Sequence, residues 1–247
     1  MKQIHLAFAV IMAFQIAGCS DAAVENNKLE SNPLILELNA LATQPNANEL
    51  IARLASIDDP TQFMTALDWQ KQQFISGNGG ARTAYMYAYN LYRVGIKDTS
   101  AFAYISGALQ ARIDGSRCKD TTGVFQNIGK WEQKMSPAKE FFISLDEATQ
   151  QKFLNTALNR EEKIKSRAPD EWVCSGGIEY FSKFHEKYKD NPNPPVKSID
   201  DPDNIGKTKV YDDPTIKPEF VVQEEWERRR ARIRENFSDQ IMARKGS

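Results

Sequence analysis

From Pro33 to Lys189 the apolar residues recur at spacings of three and four, and no window alternates apolar with polar for more than a few residues. That period belongs to amphipathic helices packed on one another and leaves no half-buried sheet. The expected fold class is therefore all-α: a single domain over 33–189 of roughly eight helices, an ordinary size for one hydrophobic core. Leu34, Ile35, Leu38 and Leu41 share one face, and a second short helix runs through Leu50, Ile51 and Leu54. Asp59-Pro60 reads as an N-cap followed by proline at the first helical position. The helix it opens carries Phe63, Met64, Leu67 and Phe74 and stops at Ser76-Gly77-Asn78-Gly79-Gly80. These glycines lack the Lys-Ser/Thr of a phosphate-binding loop, and no strand precedes them, so they mark a stop and a turn.

The most regular stretch is ARTAYMYAYNLYRVG, then IKDTS, then AFAYISGALQARIDG. Ala84, Tyr85, Ala88, Leu91 and Tyr92 give one helix a small-and-aromatic face. Gly95 ends it, Asp98 or Ser100 caps its successor, and Phe102, Ile105, Leu109 and Ile113 line the next. Small residues opposite aromatics permit close approach. Residues 81–115 thus form an αα-hairpin that resembles one unit of a tetratricopeptide or Sel1-like array. No second copy occurs at a fixed period, which implies one hairpin inside a domain rather than a solenoid.

Further on, Ser136-Pro137 caps a short piece ending in Phe141-Phe142, and Ser144-x-x-Glu147 forms a capping box before a long helix through Phe153, Leu154, Ala157, Leu158 and Ile164. After Ala168-Pro169 and Gly176-Gly177, a last helix carries Ile178, Phe181, Phe184 and Tyr188. Residues 190–220 hold six of the eleven prolines and few apolar side chains, the composition of an extended strap. Residues 221–247 turn helical again, with Val222, Trp226, Ile233, Phe237 and Ile241 in a stripe broken by Arg230. Such a C-terminal amphipathic helix has three destinations: its own domain, a groove on a partner, or a membrane surface. Five acidic residues among seven basic ones weigh against the last.

At the other end, Lys2 precedes nine apolar residues, Leu6 to Phe14. As a helix these span about 13 Å against a hydrocarbon core of roughly 30 Å, too short to cross but suited to an export signal. The run ends in Ile16-Ala17-Gly18-Cys19, which resembles the lipobox of bacterial lipoproteins. That resemblance implies cleavage after residue 18, acylation of Cys19, and a polar tether over 19–32 between lipid and domain. Two or more acyl chains anchor stably where one does not. Ser20 after the cysteine resembles an outer-membrane address, whereas an acidic residue there would favour the inner membrane. The formal net charge of −1 becomes −2 once Lys2 leaves with the signal, so the surface advertises neither nucleic acid nor anionic lipid as a partner. In an oxidising periplasm the remaining cysteines, Cys118 and Cys174, are expected to pair, with two buried free thiols as the alternative. Their loop would contribute roughly 4 kcal/mol.

Catalytic patterns are sparse. Without the signal one histidine remains, His185, among Lys183, Glu186, Lys187 and Lys189; no HExxH or GxSxG occurs, and no metal or cofactor is implied. Ser136-x-x-Lys139 matches the SxxK of penicillin-binding enzymes in letters, without their SxN and KTG elements. Glu132, Glu140, Glu147 and Glu179 are candidates for a carboxylate pair, but among 33 acidic residues some pair always exists. Helical spacing puts Tyr85, Tyr89 and Tyr92 on one face and turns Tyr87 away. With Trp226, Ile233 and Phe237 on the tail, these form the candidate partner-binding set, the alternative being that the tyrosines are core and rim. The resulting expectation is a lipid-anchored envelope protein that binds a periplasmic protein. It resembles immunity proteins that neutralise a delivered toxin, or envelope-assembly scaffolds. A peptidoglycan- or lipid-acting enzyme with an unrecognised carboxylate site is the alternative.

Overall fold

The computed structural model describes residues 32–43, 48–200, 207–211, 213 and 215–242. The lipobox, the export signal and the tether up to residue 31 lie outside the described residues. The body is all-α. Its helices are α1 (Pro33–Ala42), α2 (Asn48–Ala55), α3 (Pro60–Ser76), α4 (Gly80–Arg93), α5 (Lys97–Gly115), α6 (Val124–Lys134), α7 (Ser136–Ser144), α8 (Glu147–Lys163) and α9 (Ile178–Tyr188), with a 3-10 helix at Glu171–Cys174 before α9. The C-terminal helix is α10 (Gln223–Met242).

The expected hairpin is α4 and α5, and α5 is the axis of the fold, buried almost all round from Ser100 to Gly115. Close approach follows from small side chains: a Cβ built on Gly107 would lie 3.2 Å from the Cβ of Ala84. The turn passes through Gly95 at φ +81°, a left-handed conformation that glycine takes without strain. Ser100 is not the cap of α5 but donates from Oγ to the carbonyl of Ala88 at 2.6 Å, fastening the pair. Around α5 sit α4, α7, α8 and α10, burying Tyr85, Ile105, Leu109, Phe142, Leu154 and Phe237. Each such side chain contributes about 1.5–3 kcal/mol by leaving water. A second cluster lies under α1 and α2, where Leu38, Leu54, Ile57 and Trp69 pack together.

Several helix ends are as expected. Asp59 caps α3 by accepting from the Gln62 amide at 2.8 Å, and Gly77 closes it at φ +78°. Others differ. The cap of α8 is Asp146, which accepts from the Thr149 amide at 2.9 Å, while Ser144 donates backward to the Phe141 carbonyl. Asp146 directly precedes the first helical residue, where a short carboxylate reaches an orphan amide; Ser144 sits two residues too early. Ser136 stands inside the first turn of α7 and makes no side-chain cap. No expectation covered α6.

The strap is not one extended run. Val196–Asp200 (β1) pairs antiparallel with Lys207–Tyr211 (β2), with Val196 opposite Tyr211. Val196, Ile199, Thr208 and Val210 favour such backbone. Both ends of this excursion return to one place, because Asp213 Oδ2 accepts from Tyr188 Oη at 2.9 Å and from Lys187 Nζ at 2.7 Å. From Asp213 onward the chain runs back along the body, and α10 docks on α5 and α8 of its own domain. The interruption at Arg230 has a cause: this buried guanidinium meets Glu161. Among the described residues no helix is long and apolar enough to cross a membrane.

Candidate functional site

Three parts of the fold converge on residues 116–123, the loop that leaves α5. Cys118 is joined to Cys174 by the expected disulfide, which ties this loop to the 3-10 helix. Beyond Cys174, α9 begins after Gly176-Gly177, and Gly177 has no side chain with which to cap it. The cap arrives from the loop instead. Thr122 Oγ1 accepts from the Ile178 amide at 2.8 Å, and Asp120 Oδ2 from the Glu179 amide at 2.7 Å. The Thr122 hydroxyl also donates to Asp120 Oδ1 at 2.6 Å, and this bond first, with the Thr122 and Glu179 amides, holds the Asp120 carboxyl below its usual range. Gly123 lies so close to Ser175–Gly177 that a Cβ on it would stand 2.7 Å from the Ser175 carbonyl oxygen. Asn127 Nδ2 completes the join, donating to that same carbonyl at 2.8 Å.

The returning strap is the third part. The Lys119 amide donates to the Glu219 carbonyl, and the Val221 amide to the Arg117 carbonyl, both at 2.9 Å, so Phe220 bridges Cys118 like a strand residue. Lys183 and Lys119 both grip the Glu219 side chain, at 2.5 and 2.9 Å, and hold its carboxyl down to about 2. Asp213 is likewise held well below the carboxylate range, by Lys187 first and Thr215 next. Arg229 of α10 donates to the carbonyls of Ser116 and Cys118, and the Arg117 guanidinium lies 3.8 Å above the Trp226 ring. Between strap and α9 remains a narrow cleft of about 50 Å³, lined by Asp120, Cys174, Glu179, Tyr180, Lys183 and Glu219 among others.

The segments so joined carry large apolar side chains that face solvent. Phe125 is 82% exposed, Val222 71% and Ile178 66%, with Phe220 and Phe181 partly exposed beside them in sequence. Isolated exposed apolar residues are ordinary; several on segments braced together, Phe125 in α6, Ile178 at the start of α9 and Val222 before α10, form a candidate interaction surface.

The expected partner-binding set is divided by the fold. Tyr85, Trp226 and Phe237 are core residues, Tyr85 stacked against Trp131 with centroids 6.1 Å apart. Their apolar area is consumed in packing α4 and α10 onto the body. Tyr92 and Ile233 are half-buried, and Tyr89 reaches solvent beneath the Arg93 guanidinium. Tyr87, expected to turn away, is buried against Phe74. Of the carboxylates, Glu147 sits in the first turn of α8 and Glu179 pairs with Lys183 at 2.7 Å. Glu132 and Glu140 are brought together with Ser136 and Lys139 around a second, more open cleft of about 420 Å³ between α6 and α7. There Glu132 accepts from Arg112 at 2.6 Å. His185 is exposed on α9 with its ring edge-on to Phe184. No cluster of potential metal ligands occurs among the described residues.

Asp120 and Thr122 were not singled out by sequence. The available signal is negative: a helix opened by Gly176-Gly177 lacks a local cap, so its donors must be met by a distant Asp or Thr. No protein-family model, curated protein or solved structure matches this chain.

Proposed function

We propose that this is an exported lipoprotein, anchored through acylated Cys19 on the periplasmic face of the outer membrane, that binds a protein partner with the face around Cys118–Cys174. The role that suits it best is immunity, the neutralisation of a toxin delivered into the envelope. One observation carries the reading. Phe125, Ile178 and Val222 stand in solvent on segments braced by a disulfide, a shared cap and a strap. A rigid frame presenting apolar anchors loses little freedom on binding, which is what a tight inhibitor of another protein requires. The anchor supplies the location, holding the binder where the partner enters.

The test is capture from the periplasm by the Cys19→Ser chain, set against the same chain carrying Phe125→Asp and Ile178→Asp. A specific partner held by the first and lost by the second supports the face. Equal capture by both, or none by either, rejects it. In the same strain the Cys19→Ser change should move the protein from the membrane to the soluble fraction, and failure to do so rejects the anchor.

A second reading, a peptidoglycan- or lipid-acting enzyme, has one observation in its favour: Glu132 and Glu140 line one cleft. If hydrolysis of murein or phospholipid is detected, Glu140→Gln should abolish it; an active Glu140→Gln protein rejects this site.

A further inference from the structure

We propose that the Cys118–Cys174 disulfide is a redox-exchange site, entered at Cys174 by a dithiol oxidoreductase, and that its reduction loosens the near part of the C-terminal arm, residues 216–229. The inference starts from which sulfur can be reached. Both sulfurs are buried, Cys174 at 6% exposure and Cys118 at 1%, but Cys174 lines the cleft between α9 and the strap and Cys118 does not. A thiolate approaching through the cleft meets Cys174 Sγ. Attack there forms a mixed disulfide on Cys174 and expels Cys118 as a thiolate, which takes up a proton. The second thiol of the reductant then displaces Cys174. The protein gains two electrons and two protons, and the reductant leaves as its own disulfide.

The consequence follows from what hangs on Cys118. The strap's main-chain bonds to the body over 219–221 go to residues 117 and 119, on either side of it. Arg229 binds the Ser116 and Cys118 carbonyls, and Arg117 supplies the stacking surface for Trp226. These attachments belong to one short loop, and the disulfide is the covalent bond that fixes that loop against the 3-10 helix. Once it is open, the loop can move, and the arm loses its strap pairing, its Arg229 contacts and the Trp226 stack together, while Phe237 and the Arg230–Glu161 pair keep the far part of α10 on the body. The hairpin α4–α5 makes none of these contacts with Cys174 and stays folded. The same loop caps α9 and braces the apolar face, so reduction also takes that face apart; this last step rests on the partner-binding reading above.

The experiment uses the exported chain with Cys19→Ser, so that only these two sulfurs react. Hydrogen exchange is followed by mass spectrometry before and after reduction by a CxxC dithiol protein, with thiol alkylation confirming that the bond is open. Exchange over 216–229 should rise at least tenfold while α4, α5 and residues 230–242 are unchanged, and reoxidation should restore protection. Residues 216–229 equally protected in both states, or a rise no greater than that of α5, overturns the proposal. A monothiol probe should give a mixed disulfide that maps to Cys174; an adduct on Cys118 overturns the point of entry. Partner capture is scored in the same samples. Capture that disappears on reduction supports the link between redox state and face. Loosening of residues 216–229 with no capture in either state overturns the partner reading and leaves the redox site standing.

Discussion

Arg230 grips Glu161 with two parallel hydrogen bonds, Nε to Oε1 at 2.9 Å and Nη2 to Oε2 at 2.7 Å, where both side chains are buried between α10 and α8. Glu162 takes a third bond from the same guanidinium at 2.6 Å, and Arg234 also reaches Glu161. Burial opposes the charge of Arg230, but the two carboxylates outweigh it and hold the guanidinium above its ordinary value. Truncating one member of such a pair strands the other. Arg230→Ala should therefore cost about 3 kcal/mol of unfolding free energy, the low end of the range because Arg234 still meets Glu161. Arg230→Met combined with Glu161→Leu should recover most of that loss. Urea denaturation of both variants beside the wild type checks both statements.

Asp114 gives the protein an unusual response to pH. It is buried under Arg167, whose Nη2 lies 2.8 Å away, and burial first and Asp170 next push its carboxyl up to about 7. A carboxyl raised on folding contributes stability that is fully present below its unfolded value near 4 and is lost as pH climbs through 7. Glu219 and Glu162, both held down to about 2, do the opposite: their contribution is present above the unfolded value and lost as pH falls toward 2. Stability should therefore peak near about pH 5 and decline by a few kcal/mol toward pH 8. Asp114→Asn should flatten the decline on the alkaline side. A wild-type protein as stable at pH 8 as at pH 5 would contradict this.

Asp120→Ala removes the remote cap of α9 and should cost about 1 kcal/mol, with the loss local to α9 and the strap. Amide exchange at Ile178 and Glu179 reports it directly. Ser144→Ala, at the position where the capping box was expected, should leave the urea midpoint in place, whereas Asp146→Ala should lower it.

The exposed anchors separate binding from folding. Phe125→Asp and Val222→Asp should each change stability by less than about 0.5 kcal/mol, because neither side chain is packed. Both should weaken partner capture. A large fall in melting temperature would show that these residues serve the fold.

The helical body was legible in the sequence because periodicity and turn residues agree along it. Gly95, Asp59-Pro60 and the small residues of α4 all act where their chemistry predicts. The pairing of Cys118 with Cys174 was legible too, once two sulfurs were left for an oxidising compartment. The site was much less so. Tyr85, Trp226 and Phe237 looked like binding residues because an aromatic stripe reads the same whether it meets a partner or its own core. Arg230 looked like a break in that stripe because Glu161, which completes it, lies 69 residues earlier. Asp120 and Thr122 cap a helix more than fifty residues downstream. Such relationships depend on tertiary neighbours, and spacing along the chain does not encode them.

Since Tyr188 and Asp213 clasp the two ends of the strap's hairpin, the polypeptide between them adds nothing to the route from body to arm. It is a side branch. A fluorescent protein or an affinity epitope spliced into that branch would ride outside the body while the arm stayed seated, giving a reporter that leaves the exposed Phe125, Ile178 and Val222 untouched.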